Sequence, residues 1–189
     1  MVTAIIFDTE VNSLDHKECI ELAYSSFQWN DVAETFEATE PIAERFKPSN
    51  PIDAGAIAVH FILPEHVQDC RPSQDATIPQ VDYLIAHKVD FDVEVLGIMW
   101  GKRICTLALC QHLWPEFKNH KLSTMYLELN GITAENVDRI KLAHSAKEDV
   151  LILTNVIGHI LQKTGIKTLP ELYSLSEIAR VPVIWTVGK

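Results

Sequence analysis

The chain has 189 residues, of which 47% are hydrophobic and 22% are charged, a composition typical of a folded globular protein. Its length suits one domain of ordinary size with room for a short appendage. The net charge of −10 argues against binding nucleic acid by bulk electrostatics, because that mode needs clustered Lys and Arg. A nucleic-acid enzyme is not excluded, since metal ions can screen a few acids where the chemistry takes place.

The cysteines and the N-terminus predict a soluble, cytoplasmic protein. No two cysteines form a CxxC pair, and we expect all four to be reduced and structural: Cys19, Cys70, Cys105 and Cys110. The N-terminal MVTAIIF has neither the basic region nor the small-residue cleavage site of a signal peptide. No apolar run approaches the length of a membrane span.

The first part of the chain predicts strands in series. An apolar strand covers 2–10, alternation predicts a second strand over 19–29, and 35–47 favours a third strand at a sheet edge. Together they indicate an antiparallel meander. A break with two prolines then leads into a short helix over 53–62 that Asp53 would cap. The segment that follows, with Pro64, Pro72 and Pro79, predicts a loop with short helical pieces.

The rest of the chain alternates strands with helices and then becomes helical. In chain order, the patterns predict a strand at 83–87, a helix at 89–99, a strand at 104–106, a helix at 107–114, helices at 122–129, 148–163 and 170–179, and a strand-like end at 181–187. Strands in series followed by strands alternating with helices indicate an α/β domain. Its expected core is a mixed sheet, an antiparallel meander plus parallel strands, flanked by α-helices.

Two carboxylates end the first strand. Residues at i and i+2 on a strand project to the same side, so Asp8 and Glu10 are expected to converge. Close carboxylates repel one another unless a cation lies between them. Taken alone, the pair is also typical of a solvent-facing strand end.

Two further acids and a histidine follow at helix starts. Asp92 comes just after a short strand, and His144 precedes Asp149 by five residues at the entry to an amphipathic helix. On one continuous helix these two side chains would point about 140° apart, so a shared site requires His144 to lie in the loop or first turn. Each residue alone is unremarkable, because acids favour helix N-termini and histidines are often exposed.

The set in its order is more informative. FDTE, AHKVDFD and HSAKED resemble the three motifs of the DnaQ-like DEDDh 3′→5′ exonucleases, which have a ribonuclease H-like fold, and the likeness covers residues 2 to 165. The later helices look closest to the exonuclease X branch. The resemblance implies an exonuclease domain over 1–166, with 167–189 as a C-terminal helix and strand extension or the truncated start of a second module.

The resemblance also implies a mechanism. The chain would hydrolyse phosphodiester bonds at the 3′ end of DNA and release nucleoside 5′-monophosphates. Four acids would hold two Mg²⁺ or Mn²⁺ ions, namely Asp8, Glu10, Asp92 and Asp149. With Ser145 and His144 the third motif has its histidine form, and His144 would be the general base.

Substrate contacts are implied at Thr9, Val11, Leu14, His60 and Lys88. Three positions depart from the family pattern. Lys88 replaces the usual Asn and could pair with Asp90 or touch a phosphate, and Phe61 replaces a glycine after the substrate-side histidine. The first motif continues as Val11-Asn12-Ser13-Leu14 and lacks its glycine. These departures bear on substrate preference and leave the implied metal ligands intact.

Two alternatives stay open. The chain could trim RNA from its 3′ end, because a contact that senses the 2′-hydroxyl cannot be located from sequence. It could also be a catalytically degenerate nucleic-acid-binding scaffold, although the intact acids and His144 argue against this. The expected partner is a nucleic-acid 3′ end, DNA rather than RNA, with no membrane; the sequence identifies no polymerase or repair partner.

Overall fold

A computed structural model describes residues 3–30, 35–141 and 145–181. The strands within these residues are β1 (Ala4–Val11), β2 (Cys19–Asn30), β3 (Thr35–Ala38), β4 (Ile42–Lys47), β5 (Arg71–Pro72), β6 (Tyr83–Ala86) and β7 (Lys102–Cys105). The helices are α1 (Ala54–His60), α2 (Val89–Val95), α3 (Thr106–Leu113), α4 (Leu122–Asn130), α5 (Ala134–Lys141), α6 (Ala146–Thr164) and α7 (Leu169–Arg180). Short 3₁₀ turns lie at Pro64–His66 and Ser73–Asp75.

The strands form one mixed sheet in the order β5-β4-β2-β1-β6-β7, with β3 also beside β2. The pairs that β2 makes with β1, β3 and β4 are antiparallel, whereas β6 is parallel to both β1 and β7. The predicted mixed sheet, with an antiparallel meander and parallel strands, is therefore confirmed. β1 is an inner strand, and its C-terminal end carries Asp8 and Glu10.

The expectation of one edge strand over 35–47 is wrong. β3 pairs with residues 27–30 of β2, and β4 pairs with residues 21–24 of the same strand. Between them Pro41 has no N–H to donate to a ladder. The segment between β3 and β4 is held against β2 by a side chain, because the Ser25 hydroxyl donates a hydrogen bond to the carbonyl of Thr39 at 2.5 Å.

Other boundaries differ for local reasons. The two-residue β5, parallel to β4, lies in a segment for which only loop and helical turns were predicted. α2 ends at Val95 instead of 99, because Gly97 adopts φ of 60° and its N–H bonds to Glu94. Asp53 occupies the predicted N-cap of α1, but its side chain makes no capping hydrogen bond. The strand-like end over 181–187 lies, from residue 182 onward, outside the described residues.

Helices cover both faces of the sheet and fix β1 in place. One face packs on the apolar stripe of α6, in which Val150, Leu153 and Ile157 are at most 1% exposed. The other face packs on α2 through Val89 and Val93. Each buried aliphatic side chain contributes about 1.5–3 kcal/mol of stabilisation. The end of β1 is consequently a rigid support.

α7 packs on α3 and on β7. Its Leu169 and Leu172 belong to the same buried cluster as the stripe of α6. The hydroxyl of Ser176 accepts a hydrogen bond from the Cys105 N–H at 2.9 Å. The division of the chain at residue 166 stays a prediction.

All four cysteines are free, and no helix of the described segments is long and apolar enough to cross a membrane.

Candidate active site

Three carboxylates meet where β1 ends and α6 begins. Ligand oxygens of Asp8, Glu10 and Asp149 all lie within 4.8 Å of one another, and the three residues are partly buried. Asp8 and Glu10 project from the sheet face that α6 covers. Asp149 lies in the first turn of α6, which Ser145 caps by accepting the Glu148 N–H at 3.3 Å. Two elements that are far apart in sequence thus build one acidic site.

A β-bulge shapes the strand end. The pairing of β1 with β2 shifts register between Glu10 and Val11, so that Glu10 faces Glu21 while Val11 faces Cys19. Such bulges bend a strand and redirect its side chains. This feature, which the sequence pattern did not predict, changes the direction of the chain where the site opens toward solvent.

Asp92, the fourth predicted ligand, approaches from α2. It is 3% exposed, and one of its oxygens accepts the Thr9 N–H at 3.1 Å and the Thr9 hydroxyl at 2.8 Å. Asp92 is not one of the three acids grouped within 4.8 Å. Its charge nevertheless acts on the cluster, because it raises the pKa of both Asp8 and Glu10.

The cluster is electrostatically unfavourable by itself. Burial, followed by the charges of Asp92, Asp149 and Glu10, raises the pKa of Asp8 well above its ordinary value. Burial and then Asp149 raise the pKa of Glu10 to about 8. Burial also raises the pKa of Asp92 to about 7, against the opposing hydrogen bonds from Thr9. A divalent cation among these oxygens would offset the repulsion, and an all-carboxylate donor set is what Mg²⁺ and Mn²⁺ prefer. The residues present therefore fit a metal site.

His144, the predicted general base, lies outside the described residues. Helix α6 starts two positions after it, with Ser145 as the N-cap in extended conformation.

A cleft of about 690 Å³ adjoins the acids. It runs between the end of β1, the β1–β2 turn and α1. Four of the five predicted substrate contacts line it, namely Thr9, Val11, Leu14 and His60. Leu14 is 73% exposed at its rim, so its side chain is available to a ligand. The volume is in the range of small-molecule sites and would accept a nucleotide.

His60 lies at the end of α1 with 6% exposure. Its Nδ1 accepts the Ile62 N–H at 2.9 Å, which assigns the proton of the neutral ring to Nε2. Burial lowers the pKa of His60, while the nearby Val11 backbone partly raises it. Nε2 is buried and makes no hydrogen bond of good geometry within the described residues. The wall of the cleft thus contains a neutral, buried N–H group.

Sequence reasoning missed a polar network that holds the wall of the cleft. The Glu18 carboxylate accepts the Ser49 N–H at 2.9 Å and the Asn50 N–H at 2.8 Å. Fully buried Asn12 accepts the Glu18 N–H at 2.9 Å through its side chain, and its carbonyl accepts the Asp53 N–H. The β1–β2 turn is thereby tied to the start of α1. No local sequence signal indicated this network, because the burial of Asn12 and its contact with Asp53 arise only in the folded chain.

Two of the residues that depart from the family pattern have left-handed backbones. Lys88 has φ of 83° and Phe61 has φ of 57°, a region that favours Gly and Asn. The Lys88 ammonium lies 5.4 Å from the ring centroid of Phe91, beside a second depression of about 440 Å³ that includes His120. Asp90 pairs with Arg103 at 3.0 Å and with Arg180 at 3.4 Å, and the described residues show no ion pair between Lys88 and Asp90.

Comparison with known proteins identifies the family of this chain. No protein-family model matches the chain. The chain is 36% identical over 153 residues to exodeoxyribonuclease 10 of Escherichia coli (strain K12), across 79% of this chain and 67% of the relative. The chain belongs to the exodeoxyribonuclease 10 family. It is also 29% identical over 140 residues to the PolC-type DNA polymerase III of Bacillus subtilis (strain 168), of which it spans only 9%.

The fold agrees with this assignment. The structure of exonuclease X in complex with 5′ overhanging duplex DNA superposes with a TM-score of 0.72 at 24% identity, over 92% of this chain and 99% of the other. The predicted resemblance to the DnaQ-like exonucleases and their ribonuclease H-like fold is thus confirmed.

Proposed function

We propose that this chain is a 3′→5′ exonuclease that hydrolyses phosphodiester bonds at the 3′ end of DNA. The observation that carries the proposal is the group of three carboxylates within 4.8 Å, beside a cleft large enough for a nucleotide. The kinship with exodeoxyribonuclease 10 supports both the hydrolase activity and the DNA substrate. The scaffold alternative is disfavoured, because a protein that only binds DNA gains nothing from a repulsive acidic cluster.

In this proposal the four acids Asp8, Glu10, Asp92 and Asp149 hold two Mg²⁺ or Mn²⁺ ions. Bound there, the ions would supply an activated water and stabilise the negative charge that builds on the phosphoryl oxygens. Thr9 orients Asp92 by donating two hydrogen bonds to one oxygen, which leaves the other oxygen for a cation. His144 would accept the proton of the attacking water.

The cleft would bind the terminal nucleotide. The backbone at Thr9 and Val11 and the exposed side chain of Leu14 would contact it, and the Nε2–H of His60 would donate to an oxygen of its sugar. Lys88, beside the second depression, would contact a phosphate. We propose residues 1–166 as the nuclease domain and 167–189 as its extension.

The test uses matched DNA and RNA oligonucleotides labelled at the 5′ end. With Mg²⁺ or Mn²⁺, wild-type protein should shorten DNA from the 3′ end, and EDTA should stop it. Asp8→Ala and Asp149→Ala should abolish the activity, whereas Asp69→Ala, an exposed acid outside the cluster, should not change it. Undiminished activity in Asp8→Ala would point to a contaminant. Faster shortening of RNA would support the exoribonuclease alternative, and binding without degradation under every divalent ion would support the scaffold.

His144→Ala is a separate test of the base. Its rate should fall by about 10²- to 10⁴-fold, the usual contribution of general base catalysis, while Mn²⁺ binding is retained. A variant that loses Mn²⁺ binding as well would show that His144 acts on the metal site and not on the water.

A further inference from the structure

A fifth acid lies behind the cluster, outside the predicted ligand set. Glu21 is in the middle of β2 and is 6% exposed. It lies directly opposite Glu10 on β1 and directly opposite Arg45 on β4. The three side chains therefore form one row across three neighbouring strands, on the sheet face that α6 covers.

Each oxygen of Glu21 has its own partner. Oε2 accepts the N–H of Ala146 at 2.8 Å, and Ala146 is the first residue of α6. Oε1 accepts the Nε–H of Arg45 at 2.9 Å. The first contact joins residues 125 positions apart and lies within one helical turn of Asp149.

The arrangement has an energetic cost that the contacts offset. Like charges directly opposite on neighbouring strands are destabilising, so Glu21 beside Glu10 is unfavourable by itself. A carboxylate that accepts a backbone N–H at a helix N-terminus gains a charge-assisted hydrogen bond and a favourable interaction with the helix dipole. The hydrogen bond fixes the helix at the turn that carries Asp149, whereas an apolar residue at position 21 would leave that N–H without this acceptor.

We propose that Glu21 is a positioning residue for the metal site. It fastens the N-terminal turn of α6 to β2 and thereby sets Asp149 at cation-binding distance from Asp8 and Glu10. The inference rests on the proposed function. In this proposal the position of Asp149 depends on a side-chain oxygen of residue 21 that reaches the Ala146 N–H. The negative charge of Glu21 contributes less.

Two substitutions test separately the length of the side chain at position 21 and its negative charge. Glu21→Gln keeps the length and an acceptor for the Ala146 N–H but removes the charge. Glu21→Asp keeps the charge but withdraws the carboxylate by about 1.5 Å, beyond hydrogen-bond range of that N–H. Arg45→Met is the matched control, because it removes the ion pair at a side chain that is 42% exposed and leaves the contact with α6.

Two measurements are needed. Electron paramagnetic resonance gives the dissociation constant for Mn²⁺ in the absence of DNA, and a nuclease assay gives kcat and KM on a DNA oligonucleotide. Glu21→Asp should weaken Mn²⁺ binding and lower kcat by about 10- to 100-fold, the usual cost of losing a group that orients a metal ligand, with little change in KM. Glu21→Gln and Arg45→Met should stay close to wild type. Glu21→Asp at wild-type values, or Glu21→Gln as impaired as Glu21→Asp, would overturn the proposal.

Thermal unfolding by circular dichroism shows whether each variant folds. If Glu21→Asp does not fold, Glu21→Met replaces it as a side chain of full length without an acceptor. Tighter Mn²⁺ binding by Glu21→Gln than by Glu21→Met then supports the proposal, and equal binding refutes it. A wild-type protein that binds Mn²⁺ but degrades no nucleic acid would refute the proposed function, whereas the Mn²⁺ comparison would still decide the role of Glu21.

Discussion

Replacing Glu10 by Gln should stabilise the metal-free protein and at the same time abolish the proposed nuclease activity. The reason is that Glu10 is a partly buried acid among Asp8, Asp149 and Glu21, where each ionised neighbour opposes its own ionisation. An amide of nearly the same shape removes one charge from the cluster and leaves the packing unchanged. The same change removes a proposed metal ligand.

The magnitude follows from the pKa. Burial and then Asp149 raise the pKa of Glu10 from 4.5 to about 8. Since a tenfold change in a dissociation constant is about 1.4 kcal/mol, ionising Glu10 in the folded state costs at most about 5 kcal/mol. Burial is the largest cause of this shift and also penalises a polar Gln amide, so we expect Glu10→Gln to gain only about 2 kcal/mol at pH 8.

The raised pKa of Glu10 also determines how the stability difference between Glu10→Gln and wild type changes with pH. Because the pKa of Glu10 is raised on folding, its contribution to stability is fully present below pH 4.5 and is lost as the pH rises toward 8. The advantage of Glu10→Gln should therefore be small at pH 4.5 and largest near pH 8. Adding Mn²⁺ should reverse the order, because ligand binding stabilises the folded wild type and the variant has lost a ligand.

The assay is urea unfolding in EDTA at pH 5 and pH 8, with Glu116→Gln as a control at an exposed acid. The control should match wild type at both pH values. Glu10→Gln should differ from wild type in its midpoint with an unchanged slope, which identifies a change of stability. A destabilised variant at pH 8, or a difference that does not grow between pH 5 and pH 8, would refute the electrostatic account of the cluster.

Three further changes test other parts of the site. Phe61→Gly should raise the free energy of unfolding by about 1 kcal/mol relative to Phe61→Ala, because φ of 57° costs a residue with a Cβ about that much; equal stabilities in urea unfolding would contradict this. Glu18→Ala should raise KM for a DNA 3′ end several-fold with little change in kcat, since it releases the segment that leads to α1; a change in kcat alone would argue against this. Thr9→Val removes the hydroxyl that favours ionised Asp92, so the pKa of Asp92 in the metal-free protein should rise further above about 7, and Mn²⁺ binding should require a higher pH than in wild type; Thr9→Ser should keep the wild-type pH dependence of Mn²⁺ binding.

The residue types of the site and the strand that carries two of them could be predicted from the sequence. Alternation with period two places Asp8 and Glu10 on one side of a strand wherever that strand lies, so the convergence of this pair is a local property. The stripe of α6 is also local, because a period of 3.6 gathers Val150, Leu153 and Ile157 on one face. Such local patterns can be predicted without knowing how the rest of the chain folds.

The tertiary structure alone decided how these pieces meet. The bulge after Glu10, the division of 35–47 into β3 and β4, and the network around Glu18 depend on which strands and turns become neighbours. The contact between Glu21 and Ala146 spans 125 positions, and no local pattern encodes a hydrogen bond of that range. The sequence by itself therefore determined which groups could bind a metal. The packing of α6 on the sheet determined the distance between them, because separate elements acquire a fixed geometry only through their shared core.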